Sequence, residues 1–336
     1  MKKTVAFSKN AANVFFHILT KCNLACRHCY INPDQHGKQI LPLETIKAWL
    51  EPFAGKGQKA NVIFLGGEPT LHPDLAPAIR YAGELGYASV TVDTNGYLFN
   101  DILEKVTPSE VDFFSFSLDG AVAATNDRLR GTGSWKRCTR GIKKAADKGF
   151  STSLIYTVSR ANAPELVRMP ALLKQLGIQR FFIQVIGLRG RSASGGLEDF
   201  AGKSPQLTQK EWLALVPPVA REVADLGITV TYPKVFLDPG ETFECAGLVA
   251  DNYFIFPNGR VYRCPLCEDF PIHSLVFEKD RLMGAGRLNE NDFFGLTVPE
   301  GCVMNRLIQP ENIAYHSDGT PTVRVACCLL KEEVRP

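Results

Sequence analysis

The pattern that most constrains this chain is an alternation of short β-branched apolar runs with longer amphipathic stretches, from about residue 13 to residue 190. Strand signals fall at 13–20, 61–65, 89–94, 113–117, 151–158 and 180–186. Helical periodicity fills intervals between them, at 43–53, 74–85, 134–148 and 165–176. Pro42 stands at the start of the first of these helices, and Gly149 and Gly177 follow the ends of the last two, where such residues belong. Strands joined by helices run parallel, because the crossover returns the chain to the same edge of the sheet. Six such units fit a partial barrel or an open doubly wound sheet. Residues 188–204, rich in Gly, Ser and Arg, read as a loop, and a last helix is expected at 208–226.

After residue 231 the texture changes to more Pro and Gly, no long helical pattern and most of the cysteines. A length of 336 residues exceeds what one core usually supports. We therefore expect two domains, 1–230 and 231–336. The net charge of +3 points to neither nucleic acid nor an anionic membrane. No run of about 18 apolar residues is present, and the first apolar stretch is broken by His17, so neither a membrane span nor a signal peptide is expected. The expected location is the cytoplasm.

The ten cysteines are unevenly placed. Cys22, Cys26 and Cys29 lie within eight residues, just after the first strand, and Cys245, Cys264, Cys267, Cys302, Cys327 and Cys328 fall in the last third. Cys138, inside a helical pattern, reads as a small core residue. Clusters of this kind in a chain without secretory features point to metal rather than disulfides. The N-terminal triplet sits where a parallel sheet gathers its ligands. Three thiolates on one loop leave a zinc tetrahedron one ligand short, with His28 awkwardly close beside Cys29. A [4Fe–4S] cube held by three cysteines keeps one iron open for chemistry.

Cys22-Asn-Leu-Ala-Cys26-Arg-His-Cys29-Tyr30 resembles the signature loop of radical S-adenosylmethionine (radical SAM) enzymes. Gly66-Gly67-Glu68-Pro69, Asp93-Thr94-Asn95-Gly96, Ser117-Leu118-Asp119-Gly120 and the stretch from Asn126 to Gly131 follow in the family's order, each after a strand. The resemblance covers roughly residues 13–190 and implies a partial (β/α)6 barrel. It implies that the open iron binds S-adenosylmethionine, whose reductive cleavage yields a 5′-deoxyadenosyl radical that abstracts hydrogen from a substrate. Carried over residue by residue, Gly66 and Gly67 let backbone approach the ligand, and Glu68 stands near the methionine ammonium. Asn95 and Ser117 face ribose or carboxylate oxygens. Arg130 pairs with the methionine carboxylate, with Arg191 as second choice. Asp119 supports the site or caps a turn, and His28 stands against adenine.

Residues 256–264 read as a hairpin with Asn258-Gly259 as its two-residue turn and Cys264 ending its second strand. Together with Cys245, this resembles the opening of the SPASM and Twitch extensions, which carry auxiliary [4Fe–4S] clusters. The chain lacks the tight four-cysteine run of a full SPASM domain. One auxiliary cluster is the first expectation, with Cys245 and Cys264 as surest ligands, Cys302 and either Cys327 or Cys328 completing it, and Cys267 able to replace either. Two incompletely ligated clusters are the alternative. A surplus thiol, Cys327 or Cys328, is a candidate hydrogen-atom donor. Adjacent side chains are expected to diverge.

The expected substrate is a ribosomally made peptide, modified by epimerisation, cross-linking or thioether formation. About twelve residues precede the first strand, so a separate leader-recognition protein or direct docking is expected. The second reading keeps the chemistry and takes a small molecule, such as a sugar or tetrapyrrole precursor. A third reading, of another class, is an iron–sulfur electron carrier or a structural zinc protein. Ferredoxin or flavodoxin is the expected reductant. Thr157 and Gln184 are expected to face the substrate region.

Overall fold

The computed structural model of the chain describes residues 2–5, 11–54, 59–195, 204–286 and 288–336. Part of the expected loop at 188–204 therefore lies outside the described residues. The strands are β1 (Lys2–Val5), β2 (Ala11–His17), β3 (Lys59–Leu65), β4 (Ser89–Thr94), β5 (Phe113–Ser117), β6 (Thr152–Val158), β7 (Arg180–Val185) and β8 (Thr229–Pro233). There follow β9 (Asn252–Ile255), β10 (Arg260–Tyr262), β11 (Leu275–Glu278), β12 (Arg281–Gly284) and β13 (Lys331–Val334). They form one row in the order β1-β13-β8-β7-β6-β5-β4-β3-β2-β9-β10-β11-β12. Neighbours from β2 to β8 are parallel, and β9 adds to β2 in parallel. The row does not return on itself, so the sheet is an open partial barrel. The six strands expected from the sequence are β2 to β7.

Alternation along the strands separates two faces. Val14, Phe16, Val62, Phe64, Val92, Phe114, Phe116, Leu154, Phe181 and Ile183 are buried. They share one core with Ile46, Ile79, Ile142, Leu173 and Val216 of the helices Leu43–Leu50, Leu75–Glu84, Ser134–Asp147, Met169–Leu176 and Gln209–Asp225. Each such side chain contributes roughly 1.5–3 kcal/mol of burial. The opposite, concave face is mixed. Asn13, His17, Asn61, Asp93, Ser115, Ser117, Thr157 and Gln184 alternate there with Phe15, Ile63, Leu65, Ile155 and Phe182. Asn13 lies between Asn61 and Asn252, bonded to them at 3.0 and 3.2 Å, which tightens the register of three parallel strands.

The C-terminal third is fastened to the barrel at both open edges. β9 lies along β2, and β13 runs antiparallel to β8, with β1 outside it. Residue 230 lies within β8. The hairpin of β9 and β10 forms, but its turn differs from the expected two-residue type. Gly259 donates to the Phe256 carbonyl and alone takes a positive φ, +86°. Asn258 is held elsewhere, its amide donating to the Gln35 carbonyl at 2.6 Å, so the loop is one residue longer with glycine at its left-handed position.

Candidate active site

The N-terminal cysteines lie on the loop that leaves the carboxyl end of β2. Four strand ends hold this loop, three by backbone hydrogen bonds and one by a side chain. From β3, Gly67 N–H donates to Leu19 O at 2.9 Å and Glu68 N–H to Lys21 O at 3.0 Å. From the helix Ala123–Arg130 after β5, Leu129 O accepts from Arg27 N–H at 2.8 Å. From beyond β7, Arg191 N–H donates to Cys29 O at 2.9 Å, and its guanidinium reaches Cys26 O at 3.2 Å. From β4, Asn95 Nδ2 donates to Asn23 Oδ1 at 2.8 Å and lies 3.8 Å from Cys22 Sγ, which also accepts from Leu24 N–H at 3.4 Å. N–H groups aimed at sulfur are the outer contacts that metal-bound thiolates require.

These contacts give several of the expected site residues a structural part as well. A Cβ on Gly67 would stand 2.3 Å from Lys21 O and 2.4 Å from Thr20 O, and one on Gly66 would stand 2.5 Å from Leu19 O. The glycines thus admit the backbone of the cysteine loop. Glu68 is fully buried and already committed. Its Oε1 accepts from Thr70 N–H, Thr70 Oγ1 and Thr94 Oγ1, and its Oε2 from Asn95 N–H at 2.7 Å. It staples the ends of β3 and β4 rather than presenting a free carboxylate.

Arg130 meets a partner inside the protein. Its Nε lies 2.5 Å from Asp119 Oδ2, and His28 Nε2 lies 3.0 Å from the same oxygen. Asp119 Oδ1 accepts from Thr157 N–H at 2.7 Å. Burial alone would raise the Asp119 carboxyl, but Arg130 and His28 outweigh it and hold the group below the usual carboxylate range. Asp119 is thus the buried hub that ties His28 of the cysteine loop to Arg130. The Arg130 guanidinium retains terminal nitrogens for an anionic ligand. His28 turns one nitrogen to Asp119, and its Nδ1 is buried without a partner. Ser117 is half-buried at the end of β5. Cys138 is buried as expected, its thiol directed at Ser117 O.

Burial pushes the Cys22 thiol up to about 11 and the Cys26 thiol above its ordinary value, with Arg130 opposing the latter. Such thiols are reluctant to ionise alone and lose their protons to a metal. All three are half-exposed at the carboxyl edge of the sheet, which suits a cluster with one open iron. Among the described residues, no group of three or more His, Cys, Asp or Glu side chains is gathered closely enough to hold a single ion. A cube asks for a different arrangement, since each of its cysteines binds a separate iron.

The C-terminal cysteines come together. Cys245, Cys264, Cys267, Cys302, Cys327 and Cys328 all line one pocket, closed by Phe243, Phe294 and Met304 among others. Cys327 and Cys328 both line this pocket, and their coupling lowers the Cys327 thiol and raises the Cys328 thiol. Cys264 bonds Cys267 and is raised by it, and burial pushes Cys245 up to about 12.

Sequence reasoning did not find the bridge between the two cysteine regions. Arg189 lies 4.7 Å over the Tyr30 ring, pairs with Glu268 at 2.5 Å and donates to Pro265 O beside Cys264. Tyr30 O–H meets His17 Nε2 at 2.7 Å. The signal was spread over four segments with no common motif.

Residues 17–173 match the family profile of the Radical SAM superfamily. The chain is 31% identical over 199 residues to "Fe-coproporphyrin III synthase" of Methanosarcina barkeri, a match covering 58% of this chain and 49% of that protein. It is 30% identical over 163 residues to "Probable GTP 3',8-cyclase" of Saccharolobus solfataricus, covering 48% and 53%. The chain spans about half the length of the curated relatives it matches. Among solved structures, that of Streptococcus suis SuiB aligns with TM-score 0.61 at 15% identity, over 77% of this chain and 61% of SuiB. The structure titled "Native anSMEcpe with bound AdoMet" aligns with TM-score 0.60 at 14% identity, over 89% and 88%.

Proposed function

Because this chain carries a radical SAM domain, in a superfamily whose members are enzymes, we propose that it binds a [4Fe–4S] cluster on Cys22, Cys26 and Cys29 and cleaves S-adenosylmethionine there. The observation that carries this reading is the cysteine loop itself, held from four strand ends at the concave edge. When bound, the cluster and S-adenosylmethionine supply a 5′-deoxyadenosyl radical that takes a hydrogen atom from substrate. The protein's part is orientation and exclusion of water. Arg130 offers terminal N–H groups to the methionine carboxylate while Asp119 fixes its angle. His28 Nδ1 and Ser117 lie ready for adenosine, and Asn95 steadies the first cysteine. Residues 231–336 are read as an auxiliary unit holding one further [4Fe–4S] cluster in the six-cysteine pocket, supported by the convergence of those thiols.

For the substrate, the first reading is a peptide, supported by the likeness in fold to SuiB and anSMEcpe, of which solved structures are titled with precursor peptide SuiA and with Kp18Cys peptide. Ferredoxin or flavodoxin would supply the electron, with or without a leader-recognition protein. The second reading, a tetrapyrrole precursor, is favoured by the identity with the Methanosarcina synthase. The experiment is anaerobic reconstitution followed by incubation with dithionite and S-adenosylmethionine. About eight irons per chain and release of 5′-deoxyadenosine are expected. Zinc in place of iron would overturn the assignment.

A further inference from the structure

β13 brings an ammonium to the concave wall. Lys331 pairs in register with Pro233 of β8, and Gln184 of β7 stands on the other side of β8. Over Pro233 the two side chains meet, Lys331 Nζ lying 3.4 Å from Gln184 Oε1. Both are half-buried, and both belong to the face opposite the helix-packed core, where Phe181 and Ile183 are buried. No carboxylate faces the ammonium among the described residues. The next residue on the same face, Glu333, is occupied by Arg335 at 2.5 Å. The ammonium's other electrostatic neighbours are the thiols of Cys328 and Cys327.

The hydrogen-bond inventory then selects a ligand. An ammonium meets only the oxygen of an amide, so Gln184 turns its Oε1 to Lys331 and keeps its N–H groups for another partner. Lys331 retains donors as well. Two side chains thus offer donors alone to the concave face, and a half-buried ammonium with no carboxylate within reach gains from an anion. We propose that Lys331 and Gln184 form a subsite that takes a carboxylate of the substrate, holding it on the wall formed by β7, β8 and β13. This builds on the radical reading only in taking the concave face as the substrate's place. A peptide side chain and a propionate arm of a tetrapyrrole both carry the required group.

The test titrates coproporphyrin III and its tetramethyl ester, which share a ring and differ in charge, into the full reconstituted chain and follows porphyrin fluorescence. Wild type is expected to prefer the acid by about tenfold or more, Lys331→Arg to keep that preference, and Lys331→Met to abolish it. Equal binding of acid and ester, or a preference that survives in Lys331→Met, would overturn the proposal and leave Lys331 as a counter-charge to the nearby thiolates. If neither porphyrin binds, glutarate is the second probe. Its protection of Lys331 against reductive methylation, with exposed Lys38 as control, supports the subsite and points to a smaller acid. No protection overturns it. Absence of 5′-deoxyadenosine from wild type would sink the radical reading without touching these binding results.

Discussion

The two cysteine regions are built on opposite plans. The N-terminal three are half-exposed on a loop tied to strand ends by backbone hydrogen bonds and one buried ionic hub. The C-terminal six line a pocket walled by Phe243, Phe294, Met304 and other apolar groups. The first lies among polar partners, Asn95, Arg130 and Asp119, and is partly open to solvent. The second is enclosed largely by apolar side chains. Sulfur chemistry that must meet a small molecule belongs at the first, and sulfur chemistry that must only exchange electrons suits the second.

The largest expected effect tests that division. A Cys22/Cys26/Cys29→Ala variant should lose all 5′-deoxyadenosine formation and about four of its irons. A Cys264/Cys302→Ala variant should lose a similar amount of iron while still cleaving S-adenosylmethionine. Iron analysis beside chromatography of the nucleoside checks both, and loss of cleavage in the second variant would merge the two regions into one functional unit. Next comes the hub. Asp119→Asn leaves Arg130 buried without its counter-charge, at about 3–5 kcal/mol in chemical denaturation. Because the folded Asp119 carboxyl lies below its unfolded value, its contribution is present above about pH 4 and lost as acid protonates the folded group. The acid limb of the stability profile should therefore flatten in the variant.

Gly67→Ala should cost about 1–3 kcal/mol, since its Cβ would meet two backbone carbonyls that cannot swing aside. Its iron loss should be confined to the N-terminal cluster, measured by electron paramagnetic resonance of the reduced protein. The smallest effect is at Asp93, on the concave face, where burial raises the carboxyl to about 7 despite a bond from Ser115. A raised carboxyl contributes stability below its unfolded value that is lost as pH rises toward 7. Asp93→Asn should therefore flatten the profile between about pH 4 and 7, by roughly 1–2 kcal/mol after allowing for water at the open face.

Much of the barrel was legible because its signals are local. Alternation along 61–65 and 89–94 reports which face each residue takes, and Gly149 and Gly177 do sit at positive φ after their helices. The three-cysteine loop was legible because its cysteines lie within eight residues of one another. What was lost depends on contacts between distant segments. β8 and β13 are short and carry no strong pattern, so the partner of Gln184 went unseen. Gly67 and Glu68 were recognised by motif, but their neighbours on the β2 loop and β4 assign them structural work that no spacing reveals. The turn at Asn258 changed type because Gln35, far away in sequence, claims its side chain.

The pairing of β9 with β2 and of β13 with β8 also bears on aggregation. A fragment ending just after β8, near residue 235, would uncover the hydrogen-bonding edges of β2, with Val14, Phe15 and Phe16 along it, and of β8. Unpaired apolar edges recruit strands from other chains. The C-terminal third thus serves as the cover that keeps an open barrel from polymerising.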